Sequence, residues 1–274
     1  MVLVARSQSR ASLRRSVFCG VVQLSMCLVV CLSLLSACVV TKEGDIKSGT
    51  KQEMALRRVE AAKQYLRNND LEAARRLLRE ALQLDDGLPN VHDALGLTFQ
   101  VSGEDELAEK HFSRAVKLGD GESRYRVNFA NFLFKQGRYE DAVKHLQKVA
   151  DDTLYERREQ ALVLLGLCQQ QMAEPAKALR SFERALTLNP RNKMVLRQLS
   201  VSEFERQQFE QSWQYLQSYR RLTPTLDAEL LLLGVHLARK LDKSDAEASF
   251  ALALKNLYPQ SREYQSYARE RRGQ

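Results

Sequence analysis

From Ala55 onward, small and apolar residues recur along the chain at one fixed spacing. The pattern Ala, three residues, an apolar residue, two residues, Ala begins at Ala74, Ala108, Ala142, Ala178, Ser212 and Ala246, at intervals of 34, 34, 36, 34 and 34. Twelve residues before each anchor stands a small residue: Ala62, Gly96, Ala130, Gly166, Ser200 and Gly234. Seven residues after it stand Ala81, Ala115, Val149, Ala185, Tyr219 and Ala253. The spacing predicts pairs of helices, A and B, whose small residues let the two axes approach while Leu95, Phe112, Leu165 and Phe182 fill the groove between them. Turns fall at "NND", "SGED", "QGRY" and "MAEP", where Gly103 and Gly137 can take positive φ. One such pair buries too little apolar surface alone, so neighbouring pairs must stack to supply a core.

Six copies at this period resemble the tetratricopeptide repeat. Pro190 and Pro224 occupy its closing proline position, and Pro259 falls one residue late. The resemblance implies an all-α, right-handed superhelix with repeats at 55–88, 89–122, 123–158, 159–192, 193–226 and 227–260, followed by a polar cap at 261–274. The third interval carries two extra residues, in the connector "ADDTLYERREQ" near 150–160. Repeat 5 is irregular, with Ser200, Ser212 and Tyr219 at small apolar positions. A locally repacked interface filled by Trp213 is the simplest reading.

The N-terminal segment follows a different pattern. Arg6, Arg10, Arg14 and Arg15 precede an uncharged run from Ser16 to Thr41, rich in Val, Leu, Cys and Phe. A basic region, an apolar stretch and small residues before a cleavage point describe a secretory signal. Its end, Leu35-Ser36-Ala37-Cys38, resembles the lipobox of bacterial lipoproteins. That resemblance implies a cleaved signal peptide over 1–37 and a mature N-terminal Cys38 carrying covalent diacylglycerol and an N-acyl chain. A simple anchor helix and an ordinary cleaved signal are the competing readings. On the lipobox reading Cys19, Cys27 and Cys31 are lost, and Cys168, alone, has no partner for an intramolecular disulfide. Val39 stands where an inner-membrane retention signal would place Asp, so the resemblance favours the periplasmic side of the outer membrane. The polar stretch over 39–53, within a lipidated segment of 38–54, reads as a flexible tether.

Composition narrows the function. The whole chain has 42 basic and 34 acidic residues, a net +8, and removing the four N-terminal arginines leaves +4. That modest charge is spread along the chain and argues against nucleic acid. His92, His111, His145 and His236 form no metal-binding spacing, and no phosphate loop, dinucleotide fingerprint or nucleophile elbow is present. Cys168, among Leu164, Leu165 and Leu167, reads as a buried inert thiol. Neither an enzyme, a cofactor beyond the acyl groups, nor a small-molecule substrate is expected; the pattern is that of a scaffold for a protein partner.

In tetratricopeptide stacks, the second, fifth, ninth and twelfth residues of helix A line the concave groove. Here these are Leu56, Val59, Lys63 and Leu66, then Asn90, Asp93, Leu97 and Gln100, then Arg124, Val127, Asn131 and Phe134. The fourth repeat adds Gln160, Val163, Leu167 and Gln170. The set predicts a groove apolar in its middle and polar at its rims, suited to an amphipathic segment. Many of these apolar residues have an equal reading as packing against the next helix. The carboxylate clamp of the family matches well only at Asn131.

The lipobox, six repeats, "RVNFANFLFKQGRYEDA" at 126–142, "LGLCQQQ" at 165–171 and a long connector bearing Tyr155 together resemble the type IV pilus biogenesis lipoproteins, the PilF and PilW pilotins. That family often has a cysteine where Phe134 stands, facing one in the fourth repeat, so a bridge between repeats 3 and 4 is excluded here. The resemblance implies a protein that binds subunits of the outer-membrane secretin and promotes their localisation and multimerisation, while held at the membrane by its lipid anchor. A lipid-anchored adaptor for cell-wall hydrolases, or an outer-membrane assembly component, is the alternative.

Overall fold

The structure is a computed structural model and describes residues 50–273. The leader, Cys38 and nearly all of the tether lie outside the described residues. Thirteen helices and no strand occur among the described residues. The first six are α1 (Lys51–Arg67), α2 (Leu71–Leu84), α3 (Pro89–Val101), α4 (Asp105–Leu118), α5 (Ser123–Lys135) and α6 (Tyr139–Asp151). Then follow α7 (Arg158–Gln171), α8 (Pro175–Leu188), α9 (Lys193–Glu205), α10 (Phe209–Leu222), α11 (Ala228–Lys240), α12 (Ser244–Leu257) and α13 (Arg262–Arg272). Odd and even helices pair as A and B from α1/α2 to α11/α12, and consecutive pairs stack, which is the tetratricopeptide architecture. None of these helices is long and apolar enough to cross a membrane.

The A/B interface has a size rule. Sixteen residues after each small A-helix position stands the large apolar residue of helix B, in the order Leu78, Phe112, Leu146, Phe182, Leu216, Phe250. Phenylalanine recurs opposite Gly96, Gly166 and Gly234, and leucine opposite Ala62, Ala130 and Ser200. A Cβ on Gly96, Gly166 or Gly234 would lie 2.8, 2.6 or 2.7 Å from the facing Phe ring. The glycine is therefore required by the ring, and a smaller partner permits a methyl or hydroxymethyl group. All six large residues are buried. Around them the interior forms three apolar clusters, one under the first repeat, one from Ala108 to Leu199 and one from Leu216 to Leu254.

The turns inside the pairs share a backbone state. Gly103 and Gly137 have φ of 76° and 73°, and the equivalent positions Asn69, Ala173, Gln207 and Asp242 have 60°, 54°, 61° and 54°. Each is a left-handed C′ residue ending helix A. At Gln207, the Gln208 N–H donates to Glu203 O at 2.8 Å and the Gln207 N–H to Phe204 O at 2.9 Å, closing a Schellman motif. Four helix starts are fixed by side chains: Asp70, Asn192, Asp227 and Ser261 each accept from the backbone N–H three residues on.

Repeat 5 is repacked through hydrogen bonds. Ser212 Oγ donates to Ser200 O at 2.5 Å, and Ser200 Oγ donates to Arg197 O at 2.8 Å. Both serines are buried with their hydroxyls satisfied, so they serve as small residues at the interface. Trp213 packs edge-on against Phe250, ring centroids 6.0 Å apart.

At the amino end, α1 starts at Lys51, so Lys51–Met54 extend the first helix instead of ending the tether. Lys, Gln, Glu and Met are strong helix formers, and Glu53 in the first turn suits the helix dipole. The long connector, 152–157, is pinned at Asp152. Ser123 Oγ donates to its Oδ2 at 2.5 Å, and the Leu154 N–H donates to Oδ1 at 3.1 Å. Arg158 Nε closes it by donating to Ala150 O at 2.8 Å.

Candidate functional site

The pinned connector forms one wall of a cavity of about 610 Å³, whose other walls are α1, α3 and α5. Lys63 contributes from α1, Asn90, Asp93 and Leu97 from α3, and Arg124, Tyr125 and Asn128 from α5. Leu154, Tyr155, Glu156 and Arg157 close it from the connector. Successive A helices are in phase, so residues 34 or 35 apart meet across the wall.

Those meetings fix the polar groups. Asp93 is only 7% exposed, and its two carboxylate oxygens accept from Asn128 Nδ2 at 2.9 and 3.0 Å. Burial pushes the Asp93 carboxyl above the usual carboxylate range, against the opposing pull of Asn128, Lys63 and Arg124. Tyr125 Oη donates to Asn90 Oδ1 at 2.9 Å, and burial pushes the phenol up to about 12. The Arg124 guanidinium lies 4.4 Å over the Tyr125 ring, and its Nε holds Glu122 at 2.9 Å. Lys63 Nζ holds Glu60 at 2.8 Å. Tyr155 is half-buried, and desolvation raises its phenol too. Leu154, in contrast, is 90% exposed.

Of the twelve residues expected from the first three repeats to line the groove, the cavity brings together Lys63, Asn90, Asp93, Leu97 and Arg124, and none of the four expected from the fourth repeat lines it. Val59 is fully buried in the first apolar cluster with Ala55, Ala62 and Leu78, so its side chain belongs to the core. Leu56 and Leu66 pack partly buried against the same cluster, and Val127 against the central one. Phe134 packs edge-on against Tyr139, centroids 5.4 Å apart. Gln100 has a buried Nε2 without a hydrogen-bond partner, and Asn131 is exposed away from the cavity. The expected apolar middle is thus narrower than the set implied: Asn90, Asp93 and Asn128 make the wall polar beside Leu97, while Leu56, Val59, Leu66, Val127 and Phe134 pack against other side chains. Tyr125, Asn128 and the connector residues were not in the expected set. The two-residue insertion was the available signal for the connector residues.

Two further arrangements stand outside the cavity. His92 and His111 approach to 2.9 Å between their Nδ1 atoms. The Asp86 carbonyl, 3.0 Å from His92 Nε2, can only accept, so His92 carries its proton on Nε2 and receives the His111 Nδ1–H at its own Nδ1. Cys168 is fully buried, and burial pushes its thiol up to about 12. Among the described residues no group of three or more His, Cys, Asp or Glu is arranged to hold a metal ion.

Comparison with known proteins agrees with the repeat architecture. The tetratricopeptide repeat family model matches residues 122–191. The type IV pilus assembly protein PilF of Pseudomonas aeruginosa is 34% identical over 207 residues, 76% of this chain and 82% of that protein. The solved structure of Pseudomonas aeruginosa PilF superposes with a TM-score of 0.71 at 32% identity, covering 80% of this chain and 99% of the other. PilW, described as a widely conserved type IV pilus biogenesis factor, superposes with a TM-score of 0.62 at 20% identity over 78% of this chain and 98% of its own.

Proposed function

This chain belongs to the PilF family of type IV pilus assembly proteins, and we propose that within it the repeat stack is a lipid-anchored, non-enzymatic scaffold. It binds subunits of the outer-membrane secretin of the pilus machine and promotes their localisation and multimerisation at that membrane. The observation that carries this reading is the cavity between the first three repeats and the connector, which offers fixed polar groups beside the exposed Leu154. Such a surface suits an extended protein segment with alternating polar and apolar side chains.

The anchor in this reading is Cys38, acylated after cleavage of the Leu35-Ser36-Ala37 signal. Each buried CH₂ contributes roughly 0.8 kcal/mol, so one chain holds a protein only reversibly and two or three hold it firmly. A bound secretin subunit is then kept at high local concentration on one membrane face. The test is recovery of the secretin with the acylated protein from solubilised outer membranes. Leu97→Arg and Leu154→Asp should each lower that recovery and the amount of secretin multimer, while Cys38→Ser should move both proteins away from the outer membrane. Unchanged multimers in all three variants would reject the proposal.

A further inference from the structure

The charges around the cavity are unequally satisfied. Lys63 and Arg124 each hold a carboxylate of their own, Glu60 at 2.8 Å and Glu122 at 2.9 Å. Glu156 and Arg157 are exposed on the connector and keep their hydration. Asp93 differs from all of these: it is buried in the cavity wall, and its hydrogen-bond partner there is the neutral amide of Asn128. A carboxylate has about four acceptor positions, and one amide nitrogen bridging both oxygens leaves most of them unused. Any segment that fills the cavity removes the remaining water from this group, a cost that an incoming donor, above all a full positive charge, offsets while the carboxylate stays ionised.

We infer that the cavity selects an extended partner segment that seats a lysine or arginine side chain against the Asp93–Asn128 pair. This rests on the reading of the cavity as a protein-binding groove and adds the chemistry of what it holds. The surroundings suit a long cationic side chain. Leu97 and Tyr155 can cover an aliphatic stem while the charged head reaches the carboxylate. Tyr125 adds a second ring to the same walls. Asn128 keeps its own carbonyl oxygen available for a second donor of the ligand, because its amide nitrogen is spent on Asp93. Asn90 is the complement, its oxygen taken by Tyr125 and its amide nitrogen facing no acceptor among the described residues. An amide donor and an amide acceptor lining one cavity suit a peptide backbone, so the main chain is held without regard to sequence and the cation supplies selectivity.

The experiment probes two arrays of end-blocked 15-residue peptides with the full-length acylated protein in detergent. One array tiles the periplasmic part of the secretin, and the other is random in sequence. Retained peptides should contain Lys or Arg. Replacing that residue by norleucine should lower retention at least tenfold, whereas neutralising acidic residues should not. Asp93→Asn should bring the lysine and norleucine versions to equal retention, with an unchanged melting temperature as control. Equal retention of lysine and norleucine peptides by the unmodified protein, which needs no variant to fold, would overturn the inference, as would silence from both arrays. A silent secretin array beside lysine-selective random peptides would uphold this inference and overturn the secretin assignment alone.

Discussion

A Cβ built on Gly166 would sit 2.6 Å from Cε1 of Phe182, so the glycine and the ring occupy one shared volume. The same relation holds for Gly96 with Phe112 and Gly234 with Phe250, while Ala130 at the equivalent position accompanies Leu146. Gly166→Ala therefore overpacks a buried interface and should destabilise the protein by about 1–3 kcal/mol, despite the better helix propensity of alanine. Phe182→Leu removes volume and should itself be destabilising. Combined, the two changes recreate the Ala/Leu pair of the third repeat, and the double variant should be more stable than the sum of the single losses. Denaturant midpoints for the cycle decide it; strict additivity would mean that the two side chains do not share space.

The turn residues Ala173 and Gln207 hold φ of 54° and 61°, where a Cβ is disfavoured by about 1–2 kcal/mol. Both are exposed, so their side chains contribute little packing. Ala173→Gly and Gln207→Gly should each be neutral or raise stability by up to about 1 kcal/mol, the gain reduced by the extra chain entropy of glycine when unfolded. The same substitution at Ala178, helical and buried, should cost more than 1 kcal/mol. Thermal unfolding of the three variants tests the contrast in sign.

The reason the fold was readable and the cavity only partly so lies in the range of the interactions. Gly96 and Phe112 meet within one helical hairpin, and their spacing repeats every 34 to 36 residues, so the code is local and multiply stated. The burial of Asp93 depends on Asn128, one repeat later, and on a connector whose path is set by Ser123 and Asp152. The 35-residue step from Asp93 to Asn128 follows the repeat, but the path of the connector does not. Phase also placed Val59 on the groove, whereas its side chain is buried with Ala55, Ala62 and Leu78 in the first apolar cluster. In repeat 5, the serines at small positions looked irregular until their hydroxyls were found donating to carbonyls of α9.

Cys168 gives a probe of native-state opening. Its thiol is buried and held to about 12, and the thiolate is the reactive species, so modification requires local or global unfolding. Iodoacetamide at pH 8 should leave the native protein unlabelled over hours and label it completely in denaturant. Mass spectrometry reads this directly. Rapid labelling of the folded protein would show that α7 opens easily, contrary to its position in the central core.

The His92–His111 pair makes stability depend on pH in a defined direction. Burial lowers both imidazoles, and the neighbouring His92 lowers His111 further, to about 4. Lys110 and Arg114 oppose protonation, while the Asp86 carbonyl and carboxylate favour it at His92. In the unfolded chain both rings titrate near the ordinary value of about 6.5. Between that pH and about 4 the unfolded state binds more protons than the folded one, so stability must fall as pH falls through this window. The contribution is fully present above about 7 and is on the order of 1–3 kcal/mol once solvent screening at the half-buried His111 is allowed for. Carboxylates begin to titrate below about 5, so the comparison belongs between pH 7 and 5. His111→Leu should lower stability at pH 7, since His92 Nδ1 loses its donor, and should flatten the slope between pH 7 and 5 relative to the unmodified chain. A variant with the same slope would place the acid sensitivity elsewhere, with His145, which is also lowered by burial, the next to replace.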